Sequence, residues 1–234
     1  VIGALDVRRA ASDIAARVRN VRDAGEFPLV VGGDCTLLLG VFQALPRGSG
    51  LWFVDGHADF YDGESSPTGE AADMDLAILT GHGPPGLLDT DRLLDPAATV
   101  LLGHRPSELN ADVAFENARL DSAIYALTAS ELREHGAGQV GAEAAMRLAG
   151  RPSWLHLDLD VLDETALPAV SYPQPLGLDW DEVAALVKPL VVAPGLIGLS
   201  VADFNPDRDP DGAYANRVVE LLESLLARPV GERA

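Results

Sequence analysis

Short apolar runs recur along this chain, most of them stopping at a polar cluster, with helical patterns in the intervals between them. The runs are FPLVV (27–31), GLWFV (50–54), TVLLGHR (99–105), SAIYALT (122–128), SWLHLDLDVL (153–162) and LIGLSVADFN (196–205). Helical spacing marks 6–24, 36–45, about 74–79, 111–119, 139–149, 179–192 and 214–227. Strands that alternate with helices, and that are too apolar to face water on either side, predict a parallel sheet covered on both faces, an α/β fold. In such a sheet ligands collect at the carboxyl ends of the strands. Asp34 and Cys35 end one run, Asp55, His57 and Asp59 a second, Asp158 and Asp160 a third, and Asp203 and Asn205 a fourth. Four strands bringing acids to one edge repel one another unless something neutralises them.

The sharpest cluster is LWFVDGHADFYDGE, residues 51–64. If Leu51–Val54 is a buried strand, Asp55, His57 and Asp59 at i, i+2 and i+4 point to one side. Carboxylate, imidazole and carboxylate converging there make a site for a divalent cation, because buried acids need a partner. The competing reading is a solvated strand end.

Bulk properties narrow the function. The 234 residues, 47% hydrophobic, suffice for one globular domain with a core that needs no crosslink. Cys35 is the single cysteine, so no intrachain disulfide forms. A net charge of −19 repels nucleic acid and anionic membranes, and neither is expected as a partner. The most apolar long stretch, 186–202, is interrupted by Lys188, Pro189 and Pro194 and reads as helix end, turn and strand. No basic segment followed by an apolar core opens the chain, and the expected location is the cytoplasm. The chain starts abruptly, without Met.

Four segments together resemble the arginase/agmatinase family of metal-dependent ureohydrolases. They are GGDC (family GGDH), DGHAD (family D-A-H-x-D), HLDLDVLDE (family D-x-D-x-x-D-P) and VADFNP (family a carboxylate, then NP), in family order over residues 32–206. The resemblance implies a three-layer α/β/α sandwich with a mainly parallel sheet, arginase/deacetylase-like. It also implies two Mn²⁺ ions per chain that activate a bridging water against a guanidino or amidino carbon. By position, Asp55 and Asp158 bridge the ions, Cys35 and Asp59 complete the first, and His57 and Asp160 complete the second. Asp203 stands where the family grips the substrate guanidinium, a charge-assisted pairing. Relatives assemble as homo-oligomers. They have about eight strands against the six counted here, so the expectation is a single domain over 1–234 whose missing strands precede Val1.

The chain departs from the family pattern. Cys35 replaces a histidine ligand: a thiolate adds a negative charge and favours Zn²⁺ over Mn²⁺, whereas a thiol costs the first ion most of one ligand. As a structural residue, Cys35 is a small buried apolar side chain. Ungapped alignment puts Ala72 at the family's acid/base histidine, leaving Glu70, Asp73 or solvent to deliver a proton, unless both acids are helix-start residues. Asp203 is one methylene shorter than the usual glutamate, and Glu164 replaces a proline. Tyr61 and the RPSE segment after His104 also differ where relatives read an amino acid, so L-arginine is not the first choice of substrate. His156, two residues before Asp158 on the same strand face, is placed to orient a ligand. His82, His104 and His135 read as loop or surface residues, and 207–212 as an acidic turn.

Three functions follow. One is metal-dependent hydrolysis of a linear C–N bond in a guanidino, formimino or hydroxyguanidino compound, releasing urea or an amide. Another is a binding or regulatory relative, motivated by Cys35 and Ala72. The last is a single-metal amide hydrolase, deacetylase-like, using Asp55, His57 and Asp158.

Overall fold

A computed structural model describes residues 1–88 and 92–227. Six strands form one sheet: β1 (Leu29–Val31), β2 (Gly50–Val54), β3 (Thr99–His104), β4 (Tyr125–Thr128), β5 (Ser153–Asp158) and β6 (Leu196–Ala202). Their order is β1-β6-β5-β2-β3-β4, and every pairing is parallel. Helices α1 (Ala4–Asp23), α2 (Leu37–Ala44) and α3 (Asp75–Thr80) share one core with one face of the sheet. Helices α5 (Ala129–His135), α6 (Ala137–Arg147), α7 (Trp180–Val191) and α8 (Ala213–Leu226) share a second core with the other. Helix α4 (Ala111–Asn117) lies in the β3–β4 crossover. The three-layer α/β/α sandwich is the architecture that the alternating pattern and the resemblance led us to expect.

Side-chain alternation builds the two cores. Leu51 and Phe53 pack with α1–α3, while Trp52 and Val54 face α5–α8. On β5 the same rule puts Trp154 on the α1–α3 side and Leu155 and Leu157 on the other. Gly198 on β6 admits the Trp154 ring, because a Cβ there would lie 1.9 Å from it. From β2 the chain runs outward to β3 and β4, and from β5 it runs outward to β6 on the opposite side. The carboxyl ends of β5 and β2 therefore flank a topological switch point, where open α/β sheets form their ligand crevice. Val54 pairs with Leu157, so Asp55 follows one strand beside Asp158 at the end of the other.

Two details differ from the sequence reading. Strand β4 starts at Tyr125 instead of residue 122, because Asp121 folds 121–124 into a turn, accepting from the Ala123 N–H at 2.8 Å. Helix α5 precedes the anticipated 139–149 helix; Thr128 and Glu131 form a capping box that starts it. Among the described residues no helix is long and apolar enough to cross a membrane.

Candidate metal centre

The switch point opens into a cleft of about 510 Å³. Its floor is made by the segments that leave β1, β2, β5 and β6. After Val54 the chain is no longer extended. Asp55 accepts from its own loop, at the His57 N–H (2.7 Å), and Gly56 donates to Asp160 Oδ1 (3.1 Å). Only glycine fits at 56, since a Cβ would come 2.5 Å from the Asp160 carbonyl oxygen. Asp59 sits at φ +46°, a left-handed conformation uncommon outside glycine, which turns its side chain away from the line of Asp55 and His57. The three residues thus come together through a turn, not through the pleat of a strand, and they split into two groups.

His57 Nδ1 lies 2.8 Å from Asp160 Oδ2 and 3.9 Å from Asp55 Oδ1. Asp160 is fixed from below. Its N–H donates to Asp158 Oδ1 (2.7 Å), and buried Arg105 donates to the carbonyls of Asp160, Val161, Leu162, Gln174 and Pro175 at 2.9–3.3 Å. Arg105 extends from just beyond β3 and holds both arms of the loop that follows β5.

On the other side, Cys35 Sγ lies 2.6 Å from Asp158 Oδ2 and 3.6 Å from Asp55 Oδ2. His156 Nε2 faces the sulfur at 3.4 Å, and its Nδ1 bonds to Ser200 Oγ at 2.7 Å. Ser200 also accepts from Trp154 Nε1 (2.9 Å), so one hydroxyl fixes both the indole and the imidazole. His156 is fully buried, stacked on Phe53, and burial pushes its pKa down to about 3, so the ring is neutral. Cys35 is buried, as its apolar reading required, and it also reaches the acids.

Four sets of possible ligand atoms each lie within 4.8 Å of one another: Cys35, Asp55, His156 and Asp158; Cys35, Asp59 and Asp75; Asp55, His57 and Asp160; and Asp158, Asp160 and Asp203. Burial, reinforced by the neighbouring acids, raises Asp55, Asp59 and Asp158 well above the usual carboxylate range. Burial, then Asp158 and Asp55, likewise raise the Cys35 thiol. Asp160 behaves differently. Burial works to raise it, yet His57 and Arg105 hold it below the usual value. Burial opposes charge on His57, but Asp160 and then Asp55 lift it to about 9, so the imidazolium itself neutralises that side. Oxygen, nitrogen and sulfur donors crowded together, with more buried acid than the single His57 charge can balance, fit divalent cations.

The outer residues form the wall. Asp203 is also left-handed (φ +64°), and its carboxylate accepts from the Ser171 N–H at 3.2 Å. Burial and Asp160 raise it to about 6. Asp73 accepts from Ser66 (2.7 Å) and Thr68 (2.6 Å), pinning the loop that carries Ala72. Glu70 is exposed and meets the Tyr172 hydroxyl at 3.3 Å. All of these line the cleft, as do Asp112 of α4 and Tyr61, whose hydroxyl donates to the Asp112 carbonyl.

The sequence reading missed three contributors. Asp75 of α3 and Arg105 are described above. Glu116 of α4 accepts from the Phe60 N–H (3.1 Å) and holds the turn that carries Asp59. None has motif spacing, but a charged residue inside an apolar helix pattern is a signal. His104 needs correcting: it is buried at the end of β3, not on the surface, and burial pushes it down to about 4. His82 and His135 are surface or loop residues as expected, and the acidic turn caps α8 through Asp209, which accepts from the Tyr214 and Ala215 N–H groups.

A parallel α/β sandwich with a buried carboxylate, imidazole and thiol cluster at its switch point defines a class of α/β proteins whose sheet edge offers ligands for a cation. The particular family follows from comparison: the Arginase family profile matches residues 2–227, and the chain belongs to that family. The arginase of Bacillus caldovelox is 31% identical over 229 residues, spanning 94% of this chain and 75% of that protein. The crystal structure of arginase from Bacillus subtilis superposes with a TM-score of 0.84 at 26% identity, covering 96% of this chain and 79% of that one. The agmatine ureohydrolase of Thermoplasma volcanium shares the fold, with a TM-score of 0.72 at 21% identity over 94% of this chain and 68% of that one.

Proposed function

We propose that this chain hydrolyses a linear C–N bond of a guanidino or amidino cation, releasing urea or the corresponding amide, and that it holds two divalent cations to do so. The observation that carries this reading is the set of buried ligand atoms within 4.8 Å of one another on both sides of Asp55 and Asp158. Asp55 and Asp158, with Cys35 and Asp59 on one flank and His57 and Asp160 on the other, are the residues that would hold the cations. Divalent cations bound there lower the pKa of coordinated water and supply a nucleophile at neutral pH. Either Mn²⁺ or Zn²⁺ suits the donors, with sulfur on the first position favouring Zn²⁺.

The protein's own groups bind and orient the substrate. Asp203, with a pKa of about 6, is ionised at neutral pH and pairs with a planar guanidinium through charge-assisted hydrogen bonds. The Ser171 N–H fixes the carboxylate that does so. Since Ala72 carries no proton, Glu70 and Asp73 at the cleft wall are the groups positioned to protonate the leaving amine. Asp73 already accepts two hydroxyls, which favours Glu70 in that role. His156 keeps Cys35 oriented through its ring nitrogen. No Lys or Arg occurs among the described lining residues, so a substrate carboxylate finds no basic partner, and a cationic or neutral tail is the better match.

The test is a panel of guanidino compounds, with agmatine-like amines beside L-arginine, assayed for urea after loading with Mn²⁺ or Zn²⁺ and with metal per chain measured by mass spectrometry. Two ions and release of urea from a carboxylate-free guanidino compound are expected. Metal uptake without release from any guanidino or amidino compound replaces this reading with a binding protein, which Ala72 favours. No metal uptake by the folded protein overturns both.

A further inference from the structure

One buried acid behind the cleft floor has no assigned part. Asp75 is the first residue of α3, is 0% exposed, and neither carboxylate oxygen has a hydrogen-bond partner; the Asp59 carboxyl and the Leu76 N–H lie beside it without hydrogen-bonding geometry. Its oxygens lie within 4.8 Å of ligand atoms of Cys35 and Asp59. A carboxylate withdrawn from water without a donor is strongly disfavoured and needs either a cation or a proton. Neither neighbour in the group supplies positive charge, and the His57 imidazole is committed to Asp160 at 2.8 Å.

His156 is the other imidazole close to Cys35, but both of its ring nitrogens are engaged, one by Ser200 and one by the sulfur itself. Asp75 is the group with ligand capacity to spare. It comes from a helix, packed between buried Met74 and Leu76, and the Ala77 N–H ties that helix to the Asp59 carbonyl at 3.1 Å.

We propose that Asp75 is a ligand of the cation held by Cys35 and Asp59, supplying an oxygen donor to the position where cysteine stands in for histidine. The proposal rests on the metal-dependent reading above and adds to it a residue that the family motifs do not contain. It makes the first position a carboxylate-rich site with one sulfur, distinct from the second, where His57 and Asp160 are the outer ligands. The two positions then select differently: the first favours a cation that accepts sulfur and oxygen together.

The test uses the intact protein loaded with Co²⁺ or Zn²⁺ and the variant Asp75→Asn, which keeps the shape and removes the charge. Metal per chain, competition with a chelator, and the sulfur-to-Co²⁺ absorption band are measured together. The native protein is expected to hold two ions and show the band. The variant is expected to hold one, to lose the band, and to bind the first ion about 10-fold or more weakly. If Asp75→Asn retains both ions, the band and the native affinity, the proposal is overturned, and Asp75 is an acid sharing a proton with Asp59. Should the variant not fold, the crystal structure of the Zn²⁺-loaded native protein decides: an Asp75 oxygen at about 2.0–2.2 Å from the ion supports the proposal, and one beyond about 3 Å overturns it. A native protein that takes up no ion overturns the functional reading along with this one, whereas two ions with an indifferent Asp75→Asn overturn this one alone.

Discussion

On the His57–Asp160 side of the cleft the charges are matched before any cation arrives. An imidazolium lies between two carboxylates, Asp160 is held below its usual pKa, and Arg105 ties its loop at five carbonyls. On the Cys35–Asp59–Asp75 side, the acids are raised by burial and by one another, and Asp75 has no donor at all. The contrast shows that one side is organised by the protein alone while the other is left incomplete. Stability stored in one half is spent in the other, as is common where a site must bind something that the chain does not carry.

The strongest way to break this comparison is to loosen the organised side. Arg105→Met leaves five carbonyls without their donor and should cost about 3–5 kcal/mol, read from urea denaturation. The ion it frees should be the one without sulfur, so the Co²⁺ absorption band of Cys35 should survive. Loss of the band instead would mean that the halves are not independent.

A smaller perturbation tests the support beneath the thiol. Ser200→Ala strands the buried Trp154 Nε1–H and the His156 ring nitrogen and should cost about 1–3 kcal/mol in the chelated protein. It should also weaken the sulfur-bound ion while leaving its neighbour in place. An unchanged denaturation midpoint would show that His156 takes its orientation from the Phe53 stack alone.

The smallest expected effect per step is a pH slope. In the chelated protein Asp55, Asp59, Asp75 and Asp158 have folded pKa values above the ordinary 3.8, and His57 is raised from 6.5 to about 9. The native state therefore keeps protons that the unfolded chain releases. Its stability declines as pH rises above about 6.5, where the unfolded chain has released the His57 proton that the fold keeps up to about 9, by up to about 1.4 kcal/mol per pH unit for each retained proton. Thermal melts of chelated protein from pH 7 to pH 9 should show the midpoint falling, and loading with Zn²⁺ should flatten the trend. A midpoint that rises over that range would mean the acids are already neutralised. His104 and His156 act in the opposite sense, because burial holds them at about 4 and about 3 while the unfolded chain protonates them below about 6.5, but that range lies under the window tested, as does Asp62 near 2.

The strand ends could be read from the sequence because a parallel strand declares itself by an apolar run, and the residues after it must lie at one edge. That logic located Asp55, Asp158, Asp160 and Asp203 without coordinates. It failed where position depends on which helix packs over which strand. Glu116 reaches the cleft from α4, while Asp75 of α3 and Arg105 beyond β3 support it from behind, and their distance in sequence from the motifs concealed them. It failed again at Asp59, where alternation implied a shared direction and a left-handed turn supplied a different one. His104 shows the opposite error: a single polar residue in an apolar strand was assigned to the surface when the strand was buried on both faces.

Arg105 grips only main-chain oxygens, and a carbonyl is the same whatever side chain its residue bears. The anchorage of Asp160 is therefore indifferent to the amino-acid composition of the loop that surrounds it. Exposed residues of that loop, such as Glu164 and Thr165, are free to change without disturbing the ligand beneath them, while Val161, Leu162, Leu167, Ala169 and Val170 are held in the core. The rim can in this way acquire a new clientele while the chemistry at the floor is inherited intact.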